Sequence, residues 1–266
     1  MHPFTIDATR LPMLLAQLWW PALRIGGFVA SAPIVSAMTV PPRVKIVLTL
    51  AIAFLLAPTV AVPSTLTVFS ARGVLVAVQD LVIGLAIGTV AQIAFEAISF
   101  AGQTIATTMG LGFATLIDPE RGATSPALGQ LFVVFAMLTY LALDGHLVLF
   151  AELAQSFRTL PIGANPFGRG DVLAVATWGG RIFQSGILIA LPAVVALIIV
   201  NLALGVLTRA APQMNLFGVG FPITIVAGYL VLVIGVGGLG FAIVRTLHQS
   251  IAAIAEMTAG AVPRVP

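Results

Sequence analysis

No cysteine occurs in the 266 residues, so this chain can build no disulfide, thiol nucleophile or thiolate-based metal or iron–sulfur site. Charge is almost as scarce. Twelve Lys plus Arg and nine Asp plus Glu make up 8% of the chain, where an ordinary soluble domain has roughly 25%. So few charges cannot cover a globule in water, and an apolar content of 59% excludes a disordered chain. The twelve cations are scattered singly. The net charge of +3 therefore forms no basic face, and nucleic acid is excluded as a partner. Imidazole is limited to His2, His146 and His248. No HExxH, G-x-S-x-G, P-loop or dinucleotide fingerprint is present, so neither an enzyme nor a bound metal or cofactor is expected.

What fills the chain instead is long uncharged sequence. The gap from Lys45 to Arg72 holds 26 residues, Glu96 to Asp118 holds 21, Arg121 to Asp144 holds 22, Arg181 to Arg209 holds 27 and Arg209 to Arg245 holds 35. A charge at mid-bilayer costs about 2.5 to 3.5 kcal/mol, and a helix of about 20 residues crosses the hydrocarbon. Lipid demands internally satisfied backbone. The expectation is an all-α, polytopic membrane protein, with residues 1–266 forming a single integral membrane domain. It has about six hydrophobic helices: Leu11 to Ala30, Val44 to Val62, Val74 to Ile98, Ala127 to Phe150, Ile182 to Leu207 and Phe217 to Val244.

The N-terminal run is read as a retained helix and not a signal peptide, because Arg24 interrupts it and it is too long. Pro192 and Pro222 predict kinks or interruptions in the last two segments. Gly235, Gly237, Gly238 and Gly240 predict a close approach by a neighbouring backbone. Residues 99–126, rich at their start in Gly, Thr and Gln, and residues 151–180 are read as polar connectors. If all six segments cross, seven flanking cations against four place both termini on the cytoplasmic side.

Several polar residues stand in apolar surroundings. Arg24 predicts a buried pair with a carboxylate from another helix or chain. Asp80 and Glu96 are either functional ions or anchors at two interfaces, being 16 residues, about 24 Å of helix, apart. Asp144 and His146, around Gly145, are read as a polar helix end and not as a catalytic pair. Pro212, Gln213 and Asn215 form a polar break whose side chains could cap helices or bond a partner's backbone, the alternative being a plain solvent loop. In Met109-Gly110-Leu111-Gly112-Phe113, a compact loop permitted by two glycines carries three apolar side chains. Such side chains expel water from a constriction, and Met re-packs readily; the alternative is ordinary packing on a connector.

Two blocks carry a resemblance. The first runs Gly102-Gln-Thr-Ile-Ala-Thr-Thr-Met109-Gly-Leu-Gly-Phe113-Ala-Thr-Leu-Ile-Asp-Pro119, then Gly129-Gln130 and Leu143-Asp144-Gly145-His146. The second is Arg209-Ala-Ala-Pro212-Gln213-Met214-Asn215-Leu-Phe217 with Gly220-Phe221-Pro222, and Ser31-Ala-Pro33 and Pro42-Arg43-Val-Lys45 agree with both. Together they resemble the FliR family of flagellar export-apparatus proteins over nearly the whole chain.

The resemblance implies a non-enzymatic subunit of the flagellar type III export gate in the bacterial inner membrane, at the flagellar basal body. Its partners would be FliP and FliQ, present in several copies, with FlhB, membrane lipid and the unfolded flagellar proteins in transit. It also implies that residues 109–113 plug the channel and that Arg24, Asp80 and Glu96 pair between subunits. The injectisome subunits of virulence secretion are the alternative, and a small-solute secondary transporter is a further one on hydropathy alone.

Overall fold

The computed structural model describes residues 11–63, 66–67, 70–112, 127–163, 177–211 and 220–259. These form seven α-helices: α1 (Leu11–Ser31), α2 (Pro42–Leu56), α3 (Ala71–Thr108), α4 (Ala127–Ala142), α5 (Gly145–Thr159), α6 (Arg181–Ala210) and α7 (Phe221–Thr258). No strand occurs among the described residues. The fold is all-α, as the need to satisfy backbone without water dictates.

Among the described residues, four helical segments are long and apolar enough to cross a membrane: Pro42–Thr59, Ala71–Thr108, Arg181–Ala210 and Phe221–Thr258. α4 and α5 qualify only as a pair, giving up to five. The expectation of about six hydrophobic helices is met approximately, four or five being of membrane-crossing length among the described residues. α1 carries Gln17, Pro21, Arg24, Gly26 and Gly27 within its apolar sequence. Its Trp20, Ile25 and Phe28 are buried within the protein. The seven-to-four cation asymmetry holds only for six crossings, and any other count reassigns the loops.

The helix ends follow local chemistry. α2 opens on Pro42, where a missing N–H costs nothing, and Val44 N donates to the Pro41 carbonyl at 3.0 Å. Pro222 falls in the first turn of α7, so it starts that helix and does not interrupt it. α6 stays helical through Pro192, without the expected interruption. The apolar run from Ala127 to Phe150 does break. Asp144 takes the left-handed conformation at φ 53°, between α4 and α5.

Both polar connectors are shorter than expected. α3 continues through residues 99–108 because its polar side chains are satisfied along their own helix: Thr104 and Thr108 donate to the carbonyls of Phe100 and Thr104, each at 2.8 Å, and Gln103 to Ser99 Oγ at 3.1 Å. α5 likewise extends to Thr159.

The chain divides into two compact units. One comprises Met1–Gln92, Asp144–Trp178 and Ser250–Pro266, the other Ile93–Leu143 and Gly179–Gln249. The core of the first includes Trp20, Ile25, Phe28, Ile83, Ile87 and Leu153, with the Phe28 and Phe150 rings edge to face at 5.6 Å. That of the second includes Ile98, Ile105, Met109 and Leu197, with Phe95 against Tyr140 at 5.4 Å and Phe100 against Phe183 at 5.3 Å.

Candidate functional site

In the first unit, helix–helix contact is set by glycine. Gly84 and Gly88 lie one turn apart on α3, and a Cβ at Gly84 would overlap the Arg24 carbonyl of α1. One at Gly88 would lie 2.7 Å from Ala32 N, and one at Gly27 3.0 Å from Leu85 N. With backbones this close, Ser31 Oγ reaches across to the Leu85 carbonyl at 3.0 Å. This is the small-xxx-small geometry of packed membrane helices.

The same approach seats Arg24, which is fully buried, beside Asp80 of α3, which is 2% exposed. Arg24 Nε donates to Asp80 Oδ1 at 2.9 Å, and Nη2 donates to the same oxygen. Nη1 donates to the Ser156 carbonyl at 2.8 Å and to Ser156 Oγ at 3.3 Å, and Nη2 also to the Leu160 carbonyl at 2.9 Å. The guanidinium carbon lies 4.5 Å from the centroid of the Phe157 ring. Ser156 and Leu160 close α5, so Arg24 caps the negative end of that helix while neutralising a carboxylate. The pair lies within one chain, where the resemblance implied pairing between subunits. The reason is geometric: Gly84 lets α1 come close enough for Arg24 to reach Asp80 and α5 together. Glu96 is exposed on α3 and takes no part in this node.

In the second unit, α3 ends in a Schellman motif. Gly110 is left-handed at φ 84°, Leu111 N donates to the Ala106 carbonyl at 3.0 Å and Gly110 N to the Thr107 carbonyl at 3.0 Å. Met109 has no exposed surface and fills the space left by Gly228 on α7, where a Cβ would stand 2.5 Å from Met109 Cγ and Cε. Thr224, one turn earlier on α7, donates to the Met109 carbonyl at 3.3 Å. Asn201 of α6 donates to the Thr108 carbonyl at 3.3 Å. Leu111 and Gly112 are half-buried, while Phe113, Gln213 and Asn215 lie outside the described residues.

Asp144 and His146 stand at the start of α5. Asp144 makes no side-chain cap bond and is exposed, so its backbone conformation marks the helix end, contrary to the expected side-chain cap. His146 is half-buried, with Nδ1 enclosed and without a hydrogen-bond partner. Gly235, Gly237, Gly238 and Gly240 face open space, with no atom of this chain within 4 Å of a Cβ at any of them. The close approach expected there occurs instead at Gly84 and Gly88, and at Gly102, whose Cβ would lie 2.8 Å from Gly129 Cα.

The glycines of the first motif block thus take structural roles: Gly102 and Gly129 meet, and Gly110 ends α3. Residues 15–250 match the family model for bacterial export proteins, family 1. The chain belongs to the FliR family. It is 42% identical over 218 residues to the flagellar biosynthetic protein FliR of Pectobacterium carotovorum subsp. carotovorum, covering 82% of this chain and 83% of that one. Identity to FliR of Escherichia coli (strain K12) is 41%, covering 79% and 80%. With FliR of Bacillus subtilis (strain 168) it is 28%, covering 85% and 88%. With its membrane-length helices, this FliR-family chain is a multi-pass membrane protein.

Three features of this family member were not singled out from sequence. Gly84-Leu-Ala-Ile-Gly88 is a readable G-x-x-x-G motif in an apolar run. Asn201 is an amide inside the 27-residue uncharged gap, a readable signal as well. Thr224 and Gly228 carry no signal until α7 is placed beside the end of α3.

Proposed function

We infer that the chain is a non-enzymatic subunit of the flagellar type III export gate, built with FliP and FliQ, contacting FlhB, and conducting unfolded flagellar subunits at the inner membrane of the basal body. The observation that carries this reading is the FliR likeness over four-fifths of the chain. It is supported by how little of the apolar surface this chain covers itself. Of the most apolar window of α7 only 6% is buried, and of that of α6 only 22%. Burial against partner helices meets the same need as lipid does. The segment beginning at Leu111 and continuing through Phe113 is the closure of the conduit, its apolar side chains excluding water and ions at rest.

The test is co-purification in mild detergent with FliP and FliQ, coupled to a motility assay in a strain lacking the gene. A chain that restores swimming and carries both partners supports the reading. One that does neither overturns it.

A further inference from the structure

We propose that the groove between α1 and α2 is a binding site for an anionic phospholipid, with its acyl chain over Gly26 and its phosphate held by Lys45 and Arg43. The inference is independent of the export reading and needs only that the chain sit in a membrane. Within the first unit the groove has a volume of about 270 Å³ and opens at the surface, lined by Gly26, Val29 and Ala30 of α1 and by Lys45, Ile46 and Leu50 of α2. Its walls are almost entirely carbon. Thr49, which also faces it, turns its hydroxyl to the Lys45 carbonyl at 2.8 Å and leaves its methyl group 3.7 Å from a Cβ at Gly26.

The charge lies at one end. Gly26 meets Thr49, so α1 and α2 run antiparallel from the turn that joins them, and Lys45 stands nearer that turn. Lys45 Nζ donates to the Ser36 carbonyl in the turn at 2.9 Å, which fixes the ammonium there and leaves two of its three N–H groups. Arg43 is exposed and lies on the same row of α2 as Ile46 and Leu50, three and seven residues on, so it extends that wall past the end of the groove. Neither cation pairs with a carboxylate among the described residues. The sequence offers none nearby: no Asp or Glu occurs between Asp7 and Asp80, and Asp80 is taken by Arg24. At the end of a membrane-length apolar segment, the anion at hand is a lipid phosphate, to which Lys and Arg side chains reach. The groove follows α2 from Lys45 to Leu50, about 7.5 Å, over which a second helix about 10 to 12 Å across would need roughly 600 Å³ or more. An alkyl chain fits where a helix does not.

The experiment takes the full chain, extracted in mild detergent with the subunits it carries and stripped of lipid. It is titrated with phosphatidylglycerol or phosphatidylcholine of the same acyl chains, and native mass spectrometry reads the lipid retained. A cation beside an anionic headgroup is worth about fivefold in affinity, so two should favour phosphatidylglycerol by about 25-fold. Arg43→Gln, at a side chain without a bond to lose, should cost about fivefold for phosphatidylglycerol and nothing for phosphatidylcholine. Lys45→Arg should keep the preference. Ala30→Leu fills the groove from its exposed edge and should end the retention of both lipids.

Equal retention of the two lipids, or retention unchanged by Arg43→Gln and Ala30→Leu, marks annular lipid only and overturns the proposal. Displacement of phosphatidylglycerol by inorganic phosphate at the same concentration assigns the cations to a free anion and also overturns it. If the variants do not fold, benzoylphenylalanine in place of Leu50, irradiated in intact membranes, decides the matter. The chain should gain the mass of a phospholipid, and capture of a partner chain instead overturns the lipid site.

Discussion

Arg24 makes five hydrogen bonds to four protein acceptors, two going to Asp80 Oδ1 and three to the end of α5. A side chain so fully used can be removed only by leaving its partners stranded. Arg24→Met leaves a buried carboxylate without a cation, which costs about 3 to 5 kcal/mol when one partner of a buried pair is lost. Arg24→Met with Asp80→Leu removes both charges and should recover much of that loss, since an apolar replacement of a buried pair is often neutral. Thermal unfolding in detergent, with the amount of protein in the membrane as a second reading, checks this. A single variant that melts with the wild type overturns the ion-pair account. That Arg24 needs a carboxylate was legible in the sequence, because an arginine in an apolar run must find one. Which carboxylate was not, since 56 residues separate the pair and only the α1–α3 contact selects between Asp80 and Glu96.

Among the elements, the contact of α1 with α3 is the most exacting. Gly84→Ala puts a methyl group into the Arg24 carbonyl, and main chain cannot swing aside as a side chain can. The helices must separate, weakening Ser31 to Leu85 and Arg24 to Asp80 together. The expected loss lies at or above the upper end of the about 1 to 3 kcal/mol typical of overpacking. Gly26→Ala on α1 is the control, because its Cβ would meet only Thr49 Cγ2 at an ordinary 3.7 Å. Equal melting of the two variants counts against the close-approach reading.

Element positions were mostly legible from the gaps between charges, since insertion cost scales with charge. The boundaries were not. Thr104 and Thr108 look like connector residues until their hydroxyls are seen folded back on their own helix, and Asp144 ends a helix inside a gap that hydropathy alone reads as continuous. The root of the 109–113 segment was half legible. Gly110 signals a turn, but the burial of Met109 depends on Gly228, 119 residues away in the sequence.

At the scale of the whole molecule, the late part of α7 gives a test in which stability and assembly move in opposite directions. Gly235, Gly237, Gly238 and Gly240 have nothing of this chain near them, and Val233, Ile234, Val236 and Phe241 around them are exposed. In a helix each glycine is about 0.8 to 1 kcal/mol less favourable than alanine. Replacing Gly237 and Gly240 by Ala should therefore leave the chain's own fold intact or raise its melting temperature, because no internal contact is disturbed. With no described atom of this chain within 4 Å of either Cβ, a longer side chain has room to leave the helix, so Gly237→Leu with Gly240→Leu should also fold and insert. If partner helices pack on this face, the leucines hold their backbones apart and recovery of FliP and FliQ with the chain should fall well below that of the alanine pair. Motility should fall with it. Leucine variants that assemble and swim like the wild type assign this face to lipid, and leave the exposed apolar sides of α2, α4 and α6 as the surfaces for partners.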